Sequence, residues 1–265
     1  MMSVVHFFQS LSFNQCTIIV PAGLAFLVFI LPGIRKALKI EVDAEMSDGA
    51  IEAFGAIALF FVFIAAASLS TLQGFQKDGQ KVTEAEVAHI VNLDRELVRI
   101  GGDKTEAARV KLQKYMSAIV TDEWKTMAEG HESPTVDDAF GELTAAVHKM
   151  DGDSKFSEKT MDSIHAHMEK VSDIREERIQ VSNERLSFIY WDMLMAFIGI
   201  MLAISFFNVT KLSKRISMAG KMIALSFTLV LILQTEGVFV GDIAVKPTHH
   251  AKALEKMKVR TADTN

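Results

Sequence analysis

Cysteine, proline and charge are each scarce where a soluble protein would use them. The 265-residue chain has one cysteine, Cys16, four prolines, two tryptophans and two tyrosines. A single thiol cannot form an intrachain disulfide or a thiolate zinc cluster. The shortage of proline, with abundant Ala, Glu, Lys and Met, favours helices over sheet. A net charge of −5 is mild and speaks against nucleic acid as a partner. No HExxH, phosphate loop or dinucleotide glycine pattern occurs. No nucleophile stands with a base and an orienting group either, so the chain reads as a non-enzyme that needs no cofactor.

Charge is also nearly missing from four long windows. Hydrophobic residues make up 49% of the chain, and they concentrate in residues 16–34, 50–72, 186–209 and 216–240. About 20 apolar residues cross a bilayer core, so each window is long enough to span. The first window lacks Lys or Arg ahead of it and is followed by Arg35, Lys36 and Lys39. That order is the reverse of a secretory signal, so it reads as a retained span, with Pro21 and Gly23 admitting a bend. The fold class expected is therefore all-α: a four-span integral membrane protein with a helical extramembrane domain inserted between spans two and three. Its parts are residues 1–72 (a transmembrane hairpin), 73–186 (the helical domain), 187–240 (a second hairpin) and 241–265 (a polar tail).

The polar middle shows helical periodicity. Ile90, Leu93, Leu97 and Ile100 recur at three- and four-residue steps, and Leu112, Tyr115, Ile119 and Val120 continue the stripe. Gly101-Gly102 breaks it, and Asp103 with Glu106 has the form of a capping box. Thr83 with Glu86 has the same form, which predicts a helical hairpin over residues 83–124, closed by Trp124. Ser133-Pro134 predicts another helix start over residues 134–150. From Ser157 a helix with Ile164, Met168, Val171 and Ile174 inside meets no Pro or Gly before Phe197. It is expected to run directly into the third span. The tail is expected to hold a short helix after Pro247.

Functional candidates are few. Phe60, Ile64 and Ser68 in the second span fall at four-residue spacing. Such residues mostly meet lipid or neighbouring helices; as a pore face they would form a hydrophobic constriction. Asp192 and Glu236 are the intramembrane acids. They could belong to a pathway or a helix contact, although Asp192 near the interfacial Tyr190 and Trp191 can simply reach the headgroups. Glu84, Glu86, Asp94 and Glu96 suggest a solvated acidic helix face with Arg95 and Arg99 beside it. No metal site is expected. His165 and His167, two apart on a helix, point in different directions, and His249-His250 read as solvated tail residues.

The two short linkers carry Arg35, Lys36 and Lys39, and Lys211, Lys214 and Arg215. By the positive-inside rule they face the cytoplasm, which puts the helical domain outside a bacterial inner membrane.

Three stretches give the chain a resemblance. Residues 86–97 with Tyr115 and Asp122-Glu123-Trp124, residues 175–185 leading to Trp191, and Glu236-Gly237-Val238-Phe239-Val240-Gly241 are similar to motifs of the bestrophin-like family of bacterial and plant membrane proteins. Val238 stands where that family usually has Pro. The resemblance covers nearly the full length and implies kinship with bestrophins, which are pentameric anion channels with four membrane helices per subunit. Bestrophins keep their helical part in the cytoplasm, opposite to the linker charges here. The expected partners are thus the lipid bilayer and further copies in a homo-oligomer, with no nucleic acid. The competing expectation is a non-conducting accessory subunit whose helical domain binds another membrane or envelope protein, a partner helix completing the apolar seam.

Overall fold

In the computed structural model, residue 8 and residues 11–153, 155–207 and 212–262 are described. Lys211 of the second linker and Val209 of the third window lie outside the described residues. In chain order the helices are α1 (Phe13–Ala37), α2 (Ala44–Ile100), α3 (Asp103–Ala118), a π-helical turn (Ile119–Glu123), α4 (Trp124–Ala128), α5 (Pro134–His148), α6 (Glu158–Ser182), α7 (Phe188–Phe206), α8 (Leu212–Thr235) and α9 (Thr248–Ala262). The chain is an all-helical membrane protein, with α1, the first part of α2, α7 and α8 as four spans.

The apolar helices form one compact unit, residues 1–74, 185–236 and 240–243. Ser12 caps α1: its hydroxyl accepts from Gln15 N, and Gln15 Oε1 accepts from Ser12 N at 2.9 Å. Pro21 and Pro32 lie within α1, which remains one helix. All four spans meet where Leu24, Phe61, Ile198, Met201, Met222 and Leu229 converge. The inward stripe of the second span is Phe54, Phe61, Ala65, Ser68 and Leu72, all buried.

The second unit comprises residues 75–184, 237–239 and 244–265. Its core takes Ile90, Leu93 and Leu97 from α2, Leu112, Tyr115 and Met116 from α3, and Val136, Leu143 and Val147 from α5. Ile164, Met168 and Val171 come from α6, and Ala253, Leu254 and Met257 from α9. The apolar seam is therefore closed by the chain's own helices.

Three local expectations change. First, Thr83 does not start a helix, because α2 runs unbroken from Ala44 to Ile100. Its hydroxyl instead donates to Gly79 O at 2.7 Å. At 1.5 Å per residue, the 57 residues of α2 extend about 85 Å, against roughly 30 Å of hydrocarbon, so one helix serves both span and extramembrane unit. Second, α6 does not enter the third span. It stops at Ser182, and Leu186 N donates to Glu236 Oε1 at 3.1 Å instead of to a helical carbonyl. Third, Asp103 is the first helical residue and Gly102 the N-cap, without a side-chain cap. Gly101 and Gly102 have φ of 71° and 105°, which a Cβ would oppose. The helix starts at Pro134 and Ser157 are as expected, the latter with Ser157 Oγ accepting from Thr160 N.

Candidate functional site

The most elaborate side-chain arrangement lies in the helical unit. Arg178 of α6 is fully buried and reaches two carboxylates. Its Nε donates to Glu86 Oε2 at 2.8 Å and its Nη2 to Glu86 Oε1 at 3.1 Å. The same Nη2 donates to Glu123 Oε2 at 2.5 Å, and Nη1 points to Met127 Sδ at 3.0 Å. Arg175, one turn earlier, donates to Glu123 Oε1 and pairs with Asp137 of α5 at 2.6 Å. His250 of α9 completes the set, its Nε2 2.8 Å from Glu86 Oε2. Five elements are thereby joined through polar side chains: α2, the π-helical turn, α5, α6 and α9.

Trp124 roofs this network. Its ring centroid lies 5.1 Å from the Arg178 guanidinium carbon, 5.3 Å from His250 and 5.4 Å from Phe239. Its indole N–H donates to Val245 O at 3.0 Å. The π-helical turn is what makes the placement work: the extra residue per turn rotates the next part of the helix, so both Glu123 and Trp124 face inward. Gly79 lets Val238 close in, since a Cβ at Gly79 would fall 2.3 Å from Val238 Cγ1.

The electrostatics are set by this geometry. Burial alone would push the Glu86 carboxyl up; the Arg178 guanidinium and the His250 hydrogen bond instead hold it at about 2. Burial, reinforced by the Glu86 carboxylate, pushes the Tyr115 phenol well above its usual range. Glu86 therefore stays ionised across the physiological range. It contains positioned ion pairs and no activated nucleophile, so its chemistry is that of a clamp.

These positions correct two readings. Glu86 and Asp94 are not a solvated acidic face, as both are fully buried. Glu86 sits four residues before Ile90, on the apolar stripe itself, and Asp94 is held by Arg109 at 3.1 Å and Arg260 at 2.8 Å. His250 is not a solvated tail residue, because α9 folds it beneath Trp124; His249, beside it, is exposed. His165 and His167 do face different neighbours: Asp151 at 2.9 Å and His89 at 3.2 Å, respectively.

In the membrane unit, Phe60 is exposed, Ile64 half-buried and Ser68 buried, with its hydroxyl donating to Ile64 O. Four residues advance a helix by about 400°, so a row at that spacing drifts by roughly 40° per step and leaves its starting face. Asp192 is exposed, whereas Glu236 is buried and receives the Leu186 N–H. Trp191 rather than Asp192 turns inward. Sequence reasoning missed Arg178, Arg109 and His148 as site residues. An arginine inside an otherwise apolar helical stripe was the available signal for the first two.

The three stretches that carried the resemblance converge here, through Glu86, Tyr115, Glu123, Trp124, Arg175, Arg178 and Phe239. A bestrophin-like domain matches residues 23–249. The chain belongs to the bestrophin-like family. Among solved structures it is similar to a bacterial bestrophin homolog from Klebsiella pneumoniae, at 11% identity over 91% of this chain and 96% of that one, with a TM-score of 0.67. Two point variants of that homolog give 11% identity over 92% and 99%, TM-score 0.67, and 14% over 92% and 98%, TM-score 0.68. At such identity the likeness is one of fold. No curated protein matches the chain.

Proposed function

We propose that this bestrophin-like membrane protein is a homo-oligomeric channel for anions and not an enzyme. The second span would stand nearest the symmetry axis, with Phe60 and Ile64 at the constriction. The observation that carries this reading is the two-sided character of that span. Phe54, Phe61, Ala65 and Leu72 are buried within the chain, while Leu59, Phe60, Val62 and Phe63 remain 47–64% exposed. A charge-free apolar face of this kind suits a narrow pore that opens by wetting. Ser68, covered within the chain, would brace the helix.

Protein reconstituted in chloride-loaded liposomes tests the proposal. A chloride efflux is expected, and it should rise in Phe60→Ala as the constriction widens. A correctly assembled oligomer without efflux would favour the accessory-subunit reading.

The same proposal places the helical unit outside the cytoplasm of a bacterial inner membrane, on the strength of the basic linkers. In a Cys16→Ser background, a thiol reagent that cannot cross membranes should label Glu132→Cys on intact cells and spare Lys39→Cys. The opposite pattern would put the helical unit in the cytoplasm.

A further inference from the structure

Outside the buried network, three side chains that the channel reading does not use converge at one end of the helical unit. His148 is the last residue of α5, Asp151 lies in the turn after it, and His165 is in the second turn of α6. His148 Nδ1 is 2.9 Å from Asp151 Oδ2, and His165 Nε2 is 2.9 Å from Asp151 Oδ1. The imidazole centroids are 5.6 Å apart. All three donor atoms lie within 4.8 Å of one another.

We propose that His148, Asp151 and His165 bind a divalent transition-metal cation, zinc being the best match. Two imidazole nitrogens and one carboxylate oxygen form a ligand set that zinc takes in tetrahedral geometry. Metal–nitrogen bonds of 2.0–2.1 Å place tetrahedral donors roughly 3.3 Å apart. The two His–Asp separations, one to each oxygen of Asp151, are slightly shorter than that. The donor atoms already lie within 4.8 Å of one another, so modest turns of the two partly exposed imidazoles and of the Asp151 carboxylate bring them to that spacing. Calcium and magnesium require mostly oxygen ligands, which this cluster does not offer.

The surroundings allow a fourth ligand. His148 and His165 sit at the wall of a cleft of about 280 Å³ that also includes Met168, Glu169, Ser172 and Asp173. Glu169 is one helical turn beyond His165 and lines the same cleft, so water or that carboxylate can complete the tetrahedron. The turn is itself set by Gly152, with φ of 72°, and by Asp153, which takes Lys104 at 2.8 Å. Lys104 therefore neutralises the neighbouring carboxylate and leaves Asp151 to the two histidines. The bound ion would tie the end of α5 to α6 across this turn.

Tag-free, full-length protein in detergent, stripped with chelator, should bind one zinc per chain in calorimetry. Cobalt in its place should give the strong visible bands of a tetrahedral site. His165→Gln and Asp151→Asn, each checked for unchanged helical circular dichroism, should lose both signals. The unfolding midpoint of the parent protein should rise with free zinc, and that rise should vanish in the variants. If a variant does not fold, the parent's cobalt spectrum still decides, since octahedral bands would rule out the site. Absence of stoichiometric binding, or zinc binding that survives a combined His148→Gln and His165→Gln change, overturns the proposal. Neither result bears on conduction, so the two proposals fail separately.

Discussion

Arg178 has no contact with water and holds two carboxylates from different elements. Removing one partner of a buried ion pair leaves an uncompensated charge, which costs about 3–5 kcal/mol. Arg178→Met should therefore lower the unfolding midpoint sharply by helical circular dichroism. Arg178→Lys should not restore it, because an ammonium cannot fork to Glu86 and Glu123 together. Glu86 adds a pH dependence. Its folded value, about 2, lies below the usual 4.5, so its contribution is complete above 4.5 and fades as pH falls towards 2. The size is on the order of 3 kcal/mol. Glu86→Gln should be less stable than the parent at neutral pH, with the gap closing in acid; a gap that stays constant would mean that Glu86 is not the titrating group. Little of this network was legible in the sequence. Glu86 and Asp94 looked like surface charges because their partners are far along the chain, 92 residues away for Arg178 and 15 for Arg109. A charge on an apolar stripe reveals burial only when its counterion is known.

At the scale of elements, α2 tests the packing argument at two glycines five residues apart. Gly74 has nothing within 4 Å of an added Cβ, and Gly79 has Val238 Cγ1 at 2.3 Å. Gly74→Ala should stabilise α2 by about 0.5–1 kcal/mol, by helix propensity alone. Gly79→Ala should instead cost about 1–3 kcal/mol through overpacking. Equal effects at the two positions in thermal unfolding would show that Val238 does not press on the helix. The spans themselves were readable because bilayer thickness and charge depletion act on 20 residues at once. Which span would continue into the polar unit was not. Both the stretch after Leu72 and the stretch before Phe188 lack prolines, and the break at Asn183–Ser187 carries a tertiary contact, Leu186 N to Glu236, that the sequence does not signal. The π-helical turn was likewise hidden, since no residue pattern distinguishes it from the α-helix around it.

For the whole molecule, the open question is what covers the outward face of the second span. Lipid can cover Phe60 and Phe63 at no cost. The small residues Ala66 and Ala67, both exposed, mark where another helix can approach closely. Ala65, between them and Ile64, is already packed within its own chain. If copies meet around an axis along this span, a bulky side chain on the outward face will hold them apart without disturbing the fold of each chain. Ala66→Trp should therefore run at a smaller mass than the parent in native mass spectrometry from mild detergent, with unchanged helical content. Ala65→Trp should damage the chain itself, lowering helical content as well as mass. If Ala66→Trp keeps the parent mass, the copies do not meet through this face, and the constriction assigned to Phe60 and Ile64 loses its place at the axis.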